Sequence, residues 1–491
     1  MAASSRLTAP ALAVSSGLLL VVAAEPFALG PLAWIALVPL YLAVFRKRGL
    51  RRGFGLGVLC GAVYLGIHLD WIFLFGWMAW VGLVAALSLY LGAATALASV
   101  ARKLPLAPVL AAGAWVGFEL LRDWGPFGGY PWGAIGTTQA SVPGVRWMAG
   151  VIGAYGLSFL CAFVAALIAD RARSGRWAWG SVALVAGVLL LFVGVDLVRY
   201  GSPPPGEPVR FALIQGNVPR PVVAGQRDRV FESHFRLTQQ LLDGPRVDAV
   251  VWPEDAVGSG VAPGSVERLR DLVDELGVPF LVGASEVDFD DRVFLNLVHH
   301  FDASGRLVGT YQKQHPVPFG EFVPLGFLRR FVTTLEQVPF DMEPGPGPVV
   351  FDVDGVRVGT PICFESVFPG DVRAFARAGA EIHIFSTNDS SFERSWASEQ
   401  HLAHARMRSL ELRQWTAQAA LSGISAVVGP DGRVTDATEL FSPAVVLADM
   451  EARPAHSLYA RVGDLFSWAF VWGTALAFGL WLLVSRWPGR R

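Results

Sequence analysis

The chain of 491 residues is 53% hydrophobic and only 16% charged. Ordinary soluble domains carry about 45–50% and about 25%, so a disordered chain and a string of purely soluble domains are both excluded. A formal net charge of -1 and three cysteines also remove the case for a nucleic-acid-binding protein and for a disulfide framework.

The apolar excess lies in residues 1–200 and near 464–485. A bilayer core is crossed by about 20 apolar residues in a helix, because unsatisfied backbone groups find no water there. By that measure the chain predicts spans near 7–24, 27–45, 54–73, 77–100, 105–122, 147–169, 177–198 and 464–485. The first reads as a span rather than a cleavable signal, since Glu25-Pro26 is a poor cleavage site and further spans follow at once. Basic residues cluster after the second, fourth and sixth spans: Arg46-Lys47-Arg48 with Arg51-Arg52, then Arg102-Lys103, then Arg171, Arg173 and Arg176. Cytoplasmic loops are the basic ones, so both termini are expected inside and the long polar stretch outside.

The expected organisation is a polytopic α-helical membrane bundle of seven spans over 1–200, an extracytoplasmic α/β domain over 201–463, and an eighth span with a cytoplasmic tail over 464–491. Pro203-Pro204-Pro205 marks a stiff linker between the first two. In the polar stretch, β-branched runs at Val209–Ile214, Ala249–Trp252, Phe280–Val282 and Ile382–Ser386 alternate with helical patterns at 226–243, 264–276 and 397–413. Strands alternating with helices indicate a layered α/β fold.

Two cysteines fall inside expected spans; Cys363 alone lies in the polar domain. It follows the strand-like run 356–362 and precedes Phe364-Glu365, a placement that suits a nucleophile as well as a buried structural thiol. Only three of the 40 basic residues are lysines, and Lys313 is the one in the polar domain. A compact ammonium kept in an arginine-rich chain fits a point charge that stabilises an oxyanion; compositional drift is the alternative. Glu254, in Trp252-Pro253-Glu254 directly after a strand, has the setting of a general base with a raised pKa, or is an ordinary surface carboxylate. Glu321 and Glu365 are placed to orient the lysine or the base.

The order Glu254, Lys313, Cys363 resembles the Glu-Lys-Cys triad of the nitrilase (carbon–nitrogen hydrolase) superfamily. The whole chain is similar to the apolipoprotein N-acyltransferase family, in which a nitrilase-like domain is inserted between the seventh and eighth spans. The similarity runs through Glu119–Arg122, Gly129–Trp132, Gly153–Ser158, Gln215–Asn217, Trp252–Glu254, Lys313–Pro324, Cys363–Glu365 and Asn388-Asp389.

That resemblance implies a bacterial inner (cytoplasmic) membrane enzyme with its catalytic domain on the periplasmic side. It implies a phospholipid acyl donor, a diacylglyceryl lipoprotein acceptor, a thioester on Cys363 and no metal or organic cofactor. Glu254 takes the role of base and Lys313 that of oxyanion ligand, with Glu321, Glu365, Phe364 and Asn388 in support. The alternatives are a membrane-tethered nitrilase-like amidase and an acyltransferase with a different acceptor. Departures from the family pattern bear on the acceptor: Phe364 replaces a common Tyr, 218–223 lacks a Lys-Trp pair, and Ser390-Ser391-Phe392-Glu393 and the 413–421 stretch are altered.

Three further readings complete the expectations. Leu325–Val332, apolar on one face with Arg329 and Arg330 beside it, fits an interfacial arm or a helix on the domain core. His401 and His404 share a helix face without a third metal ligand and read as a core or solvated pair. Glu119 and Arg122 inside a span are costly in lipid and are expected to be paired within the bundle.

Overall fold

The structure, a computed structural model, describes residues 4–47, 49–201, 204–218, 226–259, 261–324, 326 and 340–486. The expected interfacial arm, apart from Gly326, lies outside the described residues, as do Pro203 of the linker, Arg48 and the divergent positions 219–223. The chain divides into two compact units, Met1–Gly201 with Ser457–Arg491, and Ser202–His456.

The first unit is helical. Among the described residues, five of its helices are long and apolar enough to cross a bilayer by length and composition: Leu50–His68, Trp77–Ala101, Arg146–Ser174, Trp179–Tyr200 and Leu465–Ser485. The other three expected spans are also helical. The first is the 20-residue helix Ser4–Ala23, with Pro10 inside it. The second is broken into Gly30–Leu32, Ala33–Ala36 and Val38–Arg46, with Pro31 and Pro39 at the first turns of the outer two pieces, where a missing N–H is tolerated. Ala107–Trp124 contains Glu119, Arg122 and Asp123. The third span stops at His68, short of the expected 73, and Asp70–Phe75 forms a separate 3-10 turn.

Glu119 and Arg122 are both buried, and each finds its own partners. Oε1 of Glu119 accepts from Nε1 of Trp115 at 3.0 Å and from the N–H of Ile135 at 3.1 Å. Nη2 of Arg122 donates to the carbonyl of Pro131 at 3.4 Å. The pairing expected within the bundle is seen for both, an indole and backbone groups being among the partners.

In the second unit the described strands are β1 (Glu207–Gln215), β2 (Ala249–Gly258), β3 (Phe280–Asp288), β4 (Val293–Phe301), β5 (Leu307–Gln312), β6 (Asp341–Met342), β7 (Val350–Val353), β8 (Val356–Gly359), β9 (Ile382–Thr387), β10 (Thr416–Ala420), β11 (Ala426–Val428), β12 (Val434–Ala437) and β13 (Ala444–Ala452). Among the described residues they form two sheets, ordered β13-β1-β2-β3-β4-β5, with β6 on β4, and β12-β11-β10-β9-β8-β7. Each sheet has a parallel centre, β1-β2-β3 in one and β8-β9-β10 in the other, flanked by antiparallel strands.

Side chains on a strand alternate between faces, and β1 shows what that alternation builds. Val209, Phe211 and Leu213 enter a core shared with Ile362, Ile384, Ala417 and Ala419 of the other sheet. Ala212 and Ile214 point the opposite way, into a second core with Phe231 and Phe235 of the helix Gln226–Gln239 and Leu269 and Leu272 of the helix Ser265–Leu276. Helix Ala397–Leu412 packs on β10 and β11. Two sheets face to face with helices outside is the layered α/β arrangement that the strand–helix alternation led us to expect, and the sandwich that the resemblance implies. Truncating a side chain such as Phe211 in its centre is expected to cost about 3–5 kcal/mol.

Candidate active site

Each expected catalytic side chain stands at a break in regular structure. Glu254 is inside β2 rather than after it, in a stretch where the ladder to β3 is interrupted. Trp252 pairs with Val282 and Val257 with Ala284, so four residues of β2 stand opposite Gly283 alone. This bulge turns Glu254 out of the pleat and leaves Asp255 at φ 63°. Gly283 permits the close approach, because a Cβ there would meet the carbonyl oxygen of Pro253 at 2.2 Å.

Lys313 directly follows β5, its N–H donating to the carbonyl of Asn296 on β4 at 2.9 Å. Cys363 lies beyond β8, after Ile362 bridges to Ser386 of β9, and opens the 3-10 turn Cys363–Val367 with φ 49°. A left-handed backbone at a non-glycine residue costs roughly 1–3 kcal/mol and is held only by its surroundings. Here it forms a sharp elbow at a residue that is only partly buried.

Two carboxyls converge on the lysine. Nζ of Lys313, 1% exposed, lies 2.6 Å from Oε1 of Glu321 and 3.6 Å from Oε1 of Glu254. Asn296 ties the two carboxyls together, Nδ2 donating to Oε1 of Glu254 at 2.6 Å and to Oε1 of Glu321 at 3.2 Å. Oε2 of Glu254 accepts from the N–H of Asn388 at 2.7 Å. Oε2 of Glu321 accepts from the N–H of Val317 at 2.8 Å, which braces the loop after Lys313.

Asn388 acts on the bulge a second time: its Nδ2 donates to Oδ2 of Asp255 at 2.6 Å, while Ser285 donates to the other oxygen of Asp255. Oδ1 of Asn388 accepts from the N–H and Oγ of Ser390 at 3.1 and 2.6 Å. Ser390, one of the departures from the family pattern, therefore fixes the side-chain amide that holds Asp255, the residue after Glu254.

Glu365 does not reach the lysine amine; it joins the two loops that carry the lysine and the thiol. Fully buried, it accepts from the N–H of Ile362 at 2.6 Å, the N–H of Gln314 at 2.7 Å, the N–H of His315 at 3.2 Å and the hydroxyl of Tyr311 at 2.8 Å. Phe364 is buried against Phe368, with ring centroids 5.1 Å apart.

The electrostatics follow from burying two carboxyls, one ammonium and a thiol together. Burial pushes the Glu254 carboxyl up to about 7; Lys313 opposes this, while Asp255 and Glu321 add to it. Burial pulls the Lys313 ammonium down, but Glu321, Glu254 and Cys363 outweigh it and hold the pKa above the ordinary lysine value. Burial and the charge of Glu254 push the Cys363 thiol well up, with Lys313 opposing. The resting site thus holds its cation firmly, keeps a thiol protonated and sets a carboxyl near neutrality beside it. Such a set can supply a nucleophile, its base and an oxyanion ligand. Among the described residues no group of three or more His, Cys, Asp or Glu is placed to hold a metal ion.

Sequence reasoning missed Asn296, Tyr311 and Asp255. Asn296 had one signal, an amide in the apolar run Val293–Phe301 that has no reason to be buried unless bonded. His401 and His404 are buried on the helix Ala397–Leu412.

Residues 16–167 match the family described as Apolipoprotein N-acyltransferase N-terminal domain, and residues 210–455 match the carbon-nitrogen hydrolase family. The chain is 33% identical to the apolipoprotein N-acyltransferase of Geobacter metallireducens, over 96% of this chain and 94% of the relative. It is 29% identical to that of Methylococcus capsulatus, over 92% of both. It is 33% identical to that of Gloeobacter violaceus, over 98% of this chain and 94% of the relative.

Proposed function

The chain belongs to the apolipoprotein N-acyltransferase family, and from that footing we propose that it moves an acyl chain from a phospholipid to the α-amine of a diacylglyceryl-cysteine through a thioester on Cys363. The observation that carries this reading is the convergence of Glu254 and Glu321 on Lys313 at 3.6 and 2.6 Å, with Cys363 within the electrostatic reach of Lys313 and Glu254.

In the first half-reaction Glu254 takes the proton of the Cys363 thiol as sulfur attacks the sn-1 ester carbon. Negative charge develops on the former carbonyl oxygen, where Nζ of Lys313 and a backbone N–H receive it. Collapse of the intermediate breaks the ester C–O bond, and the proton held by Glu254 passes to the departing alkoxide. Lysophospholipid leaves and the thioester remains. In the second half-reaction the acceptor amine attacks the thioester, Glu254 takes a proton from nitrogen, and collapse returns the thiolate, which regains that proton.

Glu321 keeps the ammonium on the oxyanion side. Asn388 and Asn296 hold Glu254 in reach, Glu365 fixes the distance between the loops of Lys313 and Cys363, and Phe364 packs the elbow from below. The catalytic domain is the second unit, Ser202–His456, outside the cytoplasmic membrane. Eight apolar stretches cross that membrane, two of them with the interrupted or charged helices described above.

Purified enzyme given phospholipid and a synthetic diacylglyceryl-cysteine peptide tests the reading. Equal release of lysophospholipid and N-acylated peptide supports it. Release of free fatty acid with no acylated peptide points instead to a hydrolase, and acylation of a different amine or alcohol points to another acceptor.

A further inference from the structure

A buried ring lies beneath the elbow that carries the thiol. Nδ1 of His401 is 3.0 Å from Oδ1 of Asp389, and Nε2 is 3.1 Å from the carbonyl oxygen of Cys363 and 2.8 Å from Oγ of Ser366. Nδ1 thus faces a carboxyl oxygen and Nε2 a carbonyl oxygen, and the Ser366 hydroxyl can accept from Nε2 as well. A protonated ring donates on both sides at once and pairs with Asp389, whose Oδ1 also accepts from Oγ1 of Thr387 at 3.0 Å. Burial pulls the His401 pKa down, but the charge of Asp389 outweighs it and the value ends raised.

The oxygen that His401 holds belongs to the peptide whose N–H is on Phe364. In a trans peptide the two groups point in opposite directions, so fixing the oxygen fixes the N–H as well. A charged donor on the oxygen also polarises the N–H and makes it the stronger donor. The same bond anchors Cys363 in its left-handed conformation, φ 49°, which requires support from outside the turn.

Resting on the reading of Cys363 as nucleophile, we propose that His401 and Asp389 form a positioning dyad that holds and polarises the Cys363–Phe364 peptide, so that its N–H completes the oxyanion site beside Lys313. The dyad acts through the peptide, and its loss slows the chemical step without weakening phospholipid binding.

The test uses the full-length enzyme, phospholipid alone, and the single-turnover rate of acyl adduct formation on Cys363, with KM for phospholipid and thermal unfolding measured alongside. His401→Leu is expected to slow acylation about 10- to 100-fold, less than removing an oxyanion donor outright, with KM changed by less than about twofold. His401→Gln, which keeps a donor on the Cys363 oxygen, recovers a large part of the rate, and Asp389→Asn falls between. A folded His401→Leu enzyme that acylates at the wild-type rate overturns the proposal, as does a Gln variant no faster than Leu. If His401→Leu fails to fold, Asp389→Asn and His401→Gln decide: slowed acylation with an unchanged KM supports the dyad, and wild-type rates in both overturn it. Absence of any Cys363 adduct in the unsubstituted enzyme is a separate outcome, which removes the nucleophile reading and the dyad with it.

Discussion

Lys313 is bonded more closely to Glu321, at 2.6 Å, than to Glu254, at 3.6 Å. The difference separates two carboxyls that share one cation. Glu321 serves as the counter-ion, and Glu254 retains the freedom to take a proton. A buried site with one ammonium and two ionised carboxylates would carry an excess negative charge. The raised pKa of Glu254 removes that excess by favouring its neutral form.

Glu321→Gln keeps the shape and removes the counter-ion. The ammonium is then drawn toward Glu254, which becomes a weaker base, and the oxyanion side loses its charge. We expect kcat to fall about 100- to 1,000-fold, the range found for loss of an oxyanion donor, with the thermal midpoint little changed. Steady-state transfer assays and thermal unfolding measure the two quantities separately.

The pH profile follows from the sign of the Glu254 shift. A general base must be ionised, and burial has moved this carboxyl up to about 7. The rate constant kcat/KM should therefore be lost as pH falls through about 7, tenfold per unit well below it. A stability term of the same origin runs the other way. Folded Glu254 and Glu365, both raised to about 7, bind protons that the unfolded chain releases near 4.5. Their stabilising contribution is present below pH 4.5 and is lost as pH rises through about 7. Kinetics and melting curves between pH 4 and 9 check both directions; an acid limb near 4.5 would contradict the assignment of Glu254.

Glu365→Gln tests the staple between the two loops. A carboxylate accepts at both oxygens, whereas a glutamine places an NH2 against either Ile362 N–H or the Gln314 and His315 N–H groups. One buried donor then faces another, which costs about 1–3 kcal/mol and loosens both Lys313 and Cys363. A lower thermal midpoint together with a lower kcat is expected, since the same contact sets both.

Gly283→Ala tests the bulge in β2. The added methyl would lie 2.2 Å from the Pro253 oxygen and 2.7 Å from Cα of Glu254, so the bulge must shift and carry Glu254 with it. Overpacking of this kind costs about 1–3 kcal/mol. Activity should fall further than that loss of stability explains, as seen by comparing transfer rates at a temperature where the variant remains folded.

The sequence made the framework of this site legible because its key residues sit at strand ends, and strands with apolar alternation are local signals. β1, the start of β2, β3 and β9 were all marked by β-branched runs, and Cys363 and Lys313 were singled out by composition. The remainder depends on long-range packing. β10 to β13 are short or mixed in character, so periodicity alone does not mark them. That β2 continues through a bulge instead of ending before Glu254 depends on Gly283, 29 residues away in sequence. Asn296 and Tyr311 have no local signature; their roles arise only when β4 and β5 lie beside β2 and the Cys363 turn. His401 read as one of a core or solvated pair because the groups it bonds, Asp389, Ser366 and the Cys363 carbonyl, come from two other segments. The broken second span reflects Pro31 and Pro39, which hydropathy averaging passes over.

The most direct measurement is peptide-level mass spectrometry of the purified full-length enzyme after incubation with phospholipid and no acceptor. The account predicts one acyl chain in thioester linkage on Cys363, discharged when a diacylglyceryl-cysteine peptide is added, and absent in Cys363→Ala. Acyl transfer at normal rates by Cys363→Ala, or an adduct on any other residue in its place, would contradict it.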